Sequence, residues 1–231
     1  VPSPKDFSLL FNRMSPSAYL RGGGNSIFYT HSFLHQVEST GLKVINGSKA
    51  YRMETSKAMQ ITLLENLGLD YPKCRVINHP SLALAAAQGL RFPVVVKANV
   101  GGSGAGIVRY DSAEALQESM DNGLVEVGID GAALVQEFVP ARGGYITRIE
   151  TLGGKYLYAI NVHTTGDSFN LCPADICQTK SGVSLARNAC AIDAPKTGLT
   201  VEAVTPSDEI IRSIESIVQA SKIDVGGIEI M

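Results

Sequence analysis

The sequence has no apolar run approaching the roughly 20 residues that a bilayer-spanning helix needs, so a transmembrane helix is excluded. It also lacks an excess of either charge. With 20 basic and 22 acidic residues the net charge is -2, which gives no general drive toward nucleic acid or an anionic membrane and leaves only local anion sites open. Cysteine is sparse. Cys74, Cys172, Cys177 and Cys190 show no Cys-x-x-Cys spacing, which argues against a disulfide framework and for a reduced, cytoplasmic protein. Cys172 and Cys177 with His163 are too loosely spaced for structural zinc, and buried free thiols fit them better. His31 and His35 stand four apart with no adjacent glutamate, so no zinc-hydrolase motif is present. Internal repeats and low-complexity tracts are missing too, and the polar, turn-like opening Val1 to Asp6 is not expected to act as a signal peptide.

What is present is an ordinary globular composition, 45% apolar and 18% charged, in a chain of 231 residues that can bury a real core. The length fits one large domain or two to three small lobes, and the lobed reading is the one adopted here. Both ends are expected to be cut from a longer chain. The opening Val1 to Asp6 is polar and leads into an apolar segment, Phe7 to Phe11, that needs a sheet to join. The last residues, Gly227-Ile228-Glu229-Ile230-Met231, read as the middle of a buried strand.

Between the ends, local signals alternate. A helix is expected from about Asn25, an N-cap, to Thr40, with Gly41 as its stop, followed by a strand and turn at Val44 to Gly47. A second helix begins near Thr55 or Ser56 and ends at Gly68, burying Met59, Leu63, Leu64 and Leu67. Lys57 then falls in its first turn, where a cation opposes the helix dipole unless an anion compensates; a solvated lysine is the plain alternative. A strand at Cys74 to Ile77, a helix from Pro80 to Gln88 and a strand at Val94 to Lys97 follow. Beyond a glycine loop come a strand at Ile107 to Tyr110 and a helix capped by Asp111 with Glu114. Strands are expected at Ala133 to Phe138, Ile146 to Leu152 and Tyr156 to Val162, the last two joined by a Gly153-Gly154 turn. Thr205 and Pro206 open a helix that buries Ile210, Ile211, Ile214, Ile217 and Val218.

The sharpest signal is Lys97-Ala98-Asn99-Val100-Gly101-Gly102-Ser103-Gly104-Ala105-Gly106. Backbone N–H groups free of side-chain bulk can point together at phosphate oxygens. Ile107 stands where a Walker loop needs lysine and where Gly-x-Gly-x-x-Gly needs its last glycine. A flexible hairpin between two strands, rather than a helix N-terminus, would be the phosphate grip. The bland alternative is a surface hairpin beside a solvated lysine.

In order, Glu54-Thr55-Ser56-Lys57, Pro93-Val94-Val95-Val96-Lys97, the glycine loop, Leu134-Val135-Gln136-Glu137-Phe138, Arg148 and Val225-Gly226-Gly227-Ile228-Glu229 resemble the ATP-grasp superfamily, and within it the RimK-like glutamate ligases. The resemblance covers about Leu10 to Met231. It implies an α+β / α/β protein: two α+β lobes clamping ATP, preceded by a remnant of an α/β pre-ATP-grasp domain. The lobes are expected at 49–132 and 133–231, with the remnant at 1–48.

The same resemblance implies roles. Lys57 and Lys97 would contact the ATP phosphates, with Gly101, Gly102, Ser103, Gly104, Ala105 and Gly106 closing over them. Gln136, Glu137, Phe138 and Val139 would form the adenine edge, Phe138 as an apolar wall. Asn170 matches the family on the substrate side. Glu229 would hold Mg2+, which needs few protein oxygens because it shares those of the phosphates. Arg148 and Lys97 would be the catalytic pair, stabilising charge on the transferred phosphoryl group. The activity implied is ATP-dependent ligation of a small-molecule or peptide carboxylate to an amine through an acyl phosphate, by a homo-oligomer. Three departures accompany it. Ile146 replaces the acid expected for ribose, the stretch from Asp167 to Asp175 lacks the basic residues of glutamate ligases, and no second carboxylate with asparagine follows Met231. Ile146 and the absent second metal pair motivate one alternative, a non-catalytic ATP-binding regulatory or scaffolding module, as the synapsins are within the superfamily; a kinase-like use with a hydroxyl acceptor is a third reading that the sequence leaves open.

Overall fold

The computed structural model describes residues 6–21, 24–102, 106–163 and 201–231. Strand β1 (Leu9–Phe11) pairs in parallel with β2 (Lys43–Ile45), and α1 (Gly24–Ser39) connects them. Ile27 and Leu34 of α1 pack with Tyr51 of α2 (Ser48–Glu54) and with Val100. Asn46 follows β2 at φ +51°, a left-handed conformation that asparagine tolerates better than most residues. Its side chain accepts from the amides of Asp224 and Val225 and donates to Val225 O. The first region is thereby tied to the last strand.

Helix α3 (Lys57–Asn66) begins one residue after its N-cap, Ser56, whose hydroxyl accepts from Met59 N. None of its residues is fully buried, and Met59 is 37% exposed, contrary to the expected core face. Met59, Ile61, Leu63 and Leu64 run round the helix instead of forming one stripe.

A four-stranded antiparallel sheet follows in the order β3 (Cys74–Ile77), β6 (Ala133–Glu137), β4 (Val94–Ala98), β5 (Ile107–Tyr110). Val94, Val96, Ala133 and Val135 point to one face and pack on α4 (Ala83–Ala87) and α5 (Ala113–Asp121). The expected helix from Pro80 to Gln88 is a 3-10 turn at Pro80–Leu82 followed by the short α4. The cap of α5 is Ser112, one residue beyond the expected Asp111. Strand β6 pairs with both β3 and β4, so residues 133–137, which were expected to open the second lobe, lie in the first sheet.

The second four-stranded sheet has the order β10 (Val225–Ile230), β7 (Tyr145–Leu152), β8 (Lys155–His163), β9 (Val201–Val204). Gly153 and Gly154, at φ +60° and +77°, make the two-residue turn between β7 and β8, as a primed hairpin turn requires. Ile149 and Ala159 pack against Ile214 of α6 (Asp208–Ser221), with Ile228 and Ile230 beside them. The cap of α6 is Ser207, not Thr205, so Pro206 precedes the helix and Asp208 and Glu209 occupy its first turn. Two acids there suit the positive end of the dipole.

Candidate active site

Successive strand residues face opposite ways and paired residues share a face. In β4, Val94 and Val96 turn to the helices, so Val95 and Lys97 turn away from them. Lys97 pairs with Leu134, and Val95 pairs with Gln136 and Arg109. The face opposite α4 and α5 therefore carries Lys97, Gln136 and Arg109 together.

Lys97 is half-buried there, and burial lowers its ammonium pKa, with Cys74 pulling weakly the other way. Lys57 lies close enough to feel it. Burial first and the Lys97 charge second push the Lys57 amine down to about 8, and Asp130 opposes them. Lys57 Nζ donates to Asn99 O at 3.3 Å and Gly101 O at 3.2 Å. Two ammonium groups crowded at the root of the glycine segment form a site that an anion would relieve.

Asn99 builds this corner, a role not foreseen from sequence. Its Oδ1 accepts from Ala58 N at 2.9 Å and Ser56 Oγ at 3.2 Å, its Nδ2 donates to Asp130 Oδ2 at 2.6 Å, and its backbone O accepts from Lys57 N at 3.3 Å. The side chain thus caps α3 from across the chain and fixes Lys57 against the strand that carries Lys97. Only its position at the strand exit, inside the glycine motif, could have signalled it.

Gln136 is 8% exposed, and its Oε1 has no hydrogen-bond partner among the described residues. A buried acceptor without a donor is costly, and this one lies on the Lys97 face. Glu137 turns to the other face, where its Oε1 accepts from Arg91 N at 2.9 Å. The amides of Glu137 and Phe138 donate to Lys73 O and Pro93 O, each at 2.9 Å, so those N–H groups are already used within the sheet. The guanidinium of Arg109 lies 4.7 Å from the Phe138 ring centroid. The wall expected from Phe138 is therefore shared with an arginine, itself held by Asp111 at 2.8 Å. Val139 follows directly, at the end of β6.

Gly102 approaches the first region, where a Cβ on it would sit 3.4 Å from Ser17 Cβ. Gly106 adopts φ +70° at the start of β5. Ser103, Gly104, Ala105 and Asn170 lie outside the described residues, as do Cys172, Cys177 and Cys190. His31 bonds Thr55 Oγ1 at 2.9 Å, a satisfied histidine on α1.

On the second sheet, Ile149 faces α6, so Arg148 and Glu150 face away. Arg148 pairs with Glu229 across β7 and β10, and Glu150 pairs with Gly227. Arg148 Nε donates to Glu150 Oε1 at 2.6 Å and Arg148 Nη1 to Glu229 Oε1 at 3.0 Å. Burial acts to lower the pKa of Arg148, but the bonds and charges of the two carboxylates raise it overall. Glu150 went unnoticed in the sequence although it stands two residues after Arg148, the spacing that places both on one face. Ile146 shares that face and is 1% exposed, so no acid is available at that position.

A cleft of about 680 Å³ lies elsewhere, bounded by Glu38, Lys49, Gln219 and Lys222. Neither lysine of the glycine corner nor Arg148 lines it. The chemistry is placed by the two sheet faces rather than by this cleft.

The donor set can be tested against the groups the resemblance implies. Glu229 offers carboxylate oxygens, the hard ligands magnesium takes when phosphates complete its shell. No cluster of three or more His, Cys, Asp or Glu side chains occurs among the described residues, so a cation here would depend on a shared phosphate. For the nucleotide, the paired amines and the orphaned Gln136 acceptor fit a polyanion joined to a base that carries N–H donors. Both groups fit.

Comparison with known proteins agrees. The RimK-like ATP-grasp domain family matches residues 54–172. A probable α-L-glutamate ligase of Thioalkalivibrio sulfidiphilus is 28% identical over 226 residues, covering 90% of this chain and 72% of that protein. The D-cycloserine synthetase DcsG superposes with a TM-score of 0.62 at 15% identity, covering 100% of this chain and 73% of that one. The ATP-grasp ligase PsnB, complexed with a minimal precursor, gives 0.59 at 16% identity, covering 96% and 65%. The chain thus spans about two thirds to three quarters of the length of these proteins. With the glycine corner and the acidic strand in the expected order on an α+β ATP-grasp fold, the chain belongs to the RimK-like ATP-grasp family.

Proposed function

We propose that the protein is an ATP-dependent carboxylate–amine ligase that forms an amide bond through an acyl phosphate. The observation that carries this reading is the convergence of the Lys57 and Lys97 amines, one of them pushed down to about 8, at the base of a glycine segment in a family whose named relative is a glutamate ligase. Two crowded cations are unfavourable in the empty protein and favourable around a triphosphate.

Lys57 and Lys97 hold the phosphates, and Gly101, Gly102 and Gly106 let the backbone approach them. Gln136 Oε1 accepts from the base, Phe138 lies beside it, and the backbone of Glu137 and Val139 borders it. Glu229 holds magnesium, which when bound shields phosphate charge. Arg148 stabilises negative charge on the transferring phosphoryl group, and no protein nucleophile is required, because the chemistry is positioning and electrostatics. The amine then displaces phosphate from the acyl phosphate. A small-molecule or peptide carboxylate and an amine are the co-substrates. No helix among the described residues is long and apolar enough to cross a membrane, and the reading places the protein in the cytoplasm as a homo-oligomer.

Incubating the protein with ATP, magnesium and a panel of carboxylates and amines tests the reading. Release of ADP with an acyl phosphate trapped by hydroxylamine is expected. Nucleotide binding by calorimetry without ADP release from any pair would leave a non-catalytic ATP-binding module, a reading that the buried Ile146 favours.

A further inference from the structure

Arg148 makes two carboxylate contacts, while the reading above gives one of those carboxylates, Glu229, to magnesium. If Glu229 turns to a cation, Glu150, at 2.6 Å, is the carboxylate that still holds Arg148 among the described residues. The two ion pairs use different guanidinium nitrogens, Nε for Glu150 and Nη1 for Glu229, so one can open while the other stays closed. Glu150 is also the better shielded acid, with its side chain 21% exposed against 36% for Glu229.

The backbone around this pair is shaped for it. A Cβ at Gly227 would lie 2.7 Å from Arg148 Cζ and 2.8 Å from Glu150 Oε1, and would also collide with Nη2. With a Cβ at this position the ends of both side chains would have to shift away from β10. The register shift beside Glu150 leaves β7 regular, because the extra residue, Leu157, lies on β8. Thr151 anchors β7 to β10, its hydroxyl donating to Gly226 O at 3.0 Å. Two neighbouring positions of β10 thus serve one geometry: Gly227 by its missing side chain and Gly226 by its carbonyl.

We propose that Glu150 is the positioning residue for Arg148: it holds the guanidinium over Gly227 through Nε, so that Arg148 stays aimed when Glu229 is given up to a divalent cation. This rests on the role proposed for Arg148 and adds a residue to it. Glu150 does not hold the cation itself, because its carboxylate is committed to Arg148. Its loss therefore acts on the step in which Arg148 meets developing charge and not on binding of the ground-state nucleotide.

The test uses the protein with three ligand sets: ADP with magnesium, ADP with magnesium and aluminium fluoride as a mimic of the transferring phosphoryl group, and Mn2+ followed by paramagnetic resonance in the presence of ADP. Glu150→Gln is expected to weaken the aluminium fluoride complex about 10–100-fold, the usual range for losing a group that orients a site ligand. Binding of ADP and of Mn2+ should stay within about twofold, a threshold well below that range. Glu150→Asp should recover part of the loss. Gly227→Ala, which keeps all three charged groups but removes their space, should lose the mimic to a similar degree. Thermal melting of each variant identifies misfolding, and if Glu150→Gln is misfolded, Gly227→Ala carries the same comparison. An undiminished aluminium fluoride complex in Glu150→Gln overturns the proposal, and so does an equal loss of Mn2+, which would make Glu150 a metal ligand. Arg148→Ala separates the two levels. If it too leaves the mimic bound, the role of Arg148 fails; if only the Glu150 variant does, the positioning role alone fails.

Discussion

Replacing Lys57 with methionine is expected to make the empty protein more stable at neutral pH and to weaken its hold on nucleotide. The amine is pushed from 10.5 down to about 8, by burial first and by Lys97 second. At about 1.4 kcal/mol per pH unit, keeping it charged at neutral pH costs the folded state roughly 3 kcal/mol. Methionine removes that cost together with two hydrogen bonds, to Asn99 O and Gly101 O, worth about 1 kcal/mol each. The net gain at pH 7 is then roughly 1 kcal/mol. The sign reverses with pH. Between about 8 and 10.5 the unfolded chain keeps the Lys57 proton and the folded chain has released it, so wild-type stability rises with pH across that window. By pH 9.5 the wild type has regained roughly 2 kcal/mol and overtakes the variant. Urea unfolding of both proteins at pH 7 and pH 9.5, without nucleotide, measures the crossover. A difference between the two proteins that is the same at both pH values would refute the crowded-amine argument. Calorimetry at pH 7 on the same samples should show Mg–ATP binding at least about tenfold weaker in the variant, the worth of one charge-assisted hydrogen bond.

Lys97→Ala is expected to raise the barrier to phosphoryl transfer by about 2–4 kcal/mol, as removal of one charge-stabilising donor does; steady-state ADP release measures it, and unchanged turnover removes Lys97 from the site. Asn99→Ala should lower unfolding free energy by about 2–3 kcal/mol, through a lost helix cap and an Asp130 left without its amide partner, read from denaturant midpoints. Ile214→Ala, at a position 2% exposed under the second sheet, should cost about 2–5 kcal/mol of stability. In folded Ile214→Ala protein, calorimetric nucleotide affinity is expected to be retained.

Strands were the most legible part of the chain. Alternating apolar residues bounded by turn signals placed β4, β7 and β8 within a residue or two, and Gly153-Gly154 marked its hairpin. Helix starts were blurred where polar residues adjoin: Asp111 beside Ser112 and Thr205 near Ser207 are all competent caps, and only the backbone decides which side-chain oxygen accepts from the third amide. The face of α3 was misread because its apolar residues encircle it, a pattern that matches helical spacing without defining a buried side. Sheet membership was illegible for β6. Its partners lie some 35–60 residues away, and pairing over such distances leaves no local trace. Among the residues of the proposed site, the lysines and Glu229 stand out in the sequence by motif. Asn99, Asp130 and Glu150 were not, since their roles come from contacts that span 31 to 43 residues or from a face shared with Arg148.

The two sheets solve one problem in the same way. Each must bury one face against helices to be stable, and the period of two then forces every second residue onto the opposite face. In β4 that puts Lys97 between Val96 and Ala98, and in β10 it puts Glu229 between Ile228 and Ile230. A charge in an apolar strand is therefore not a compromise with the core, because it never points there. The requirement it does impose is a partner on its own side, and the two sheets meet it differently. The acidic strand finds its partner within the protein, in Arg148. Lys97 is buried without an ion-pair partner among the described residues and has a second amine nearby. Such asymmetry fits the proposed site for a polyanion and a cation: the carboxylate could exchange one cation for another, and an anion would offset the charge of the amines.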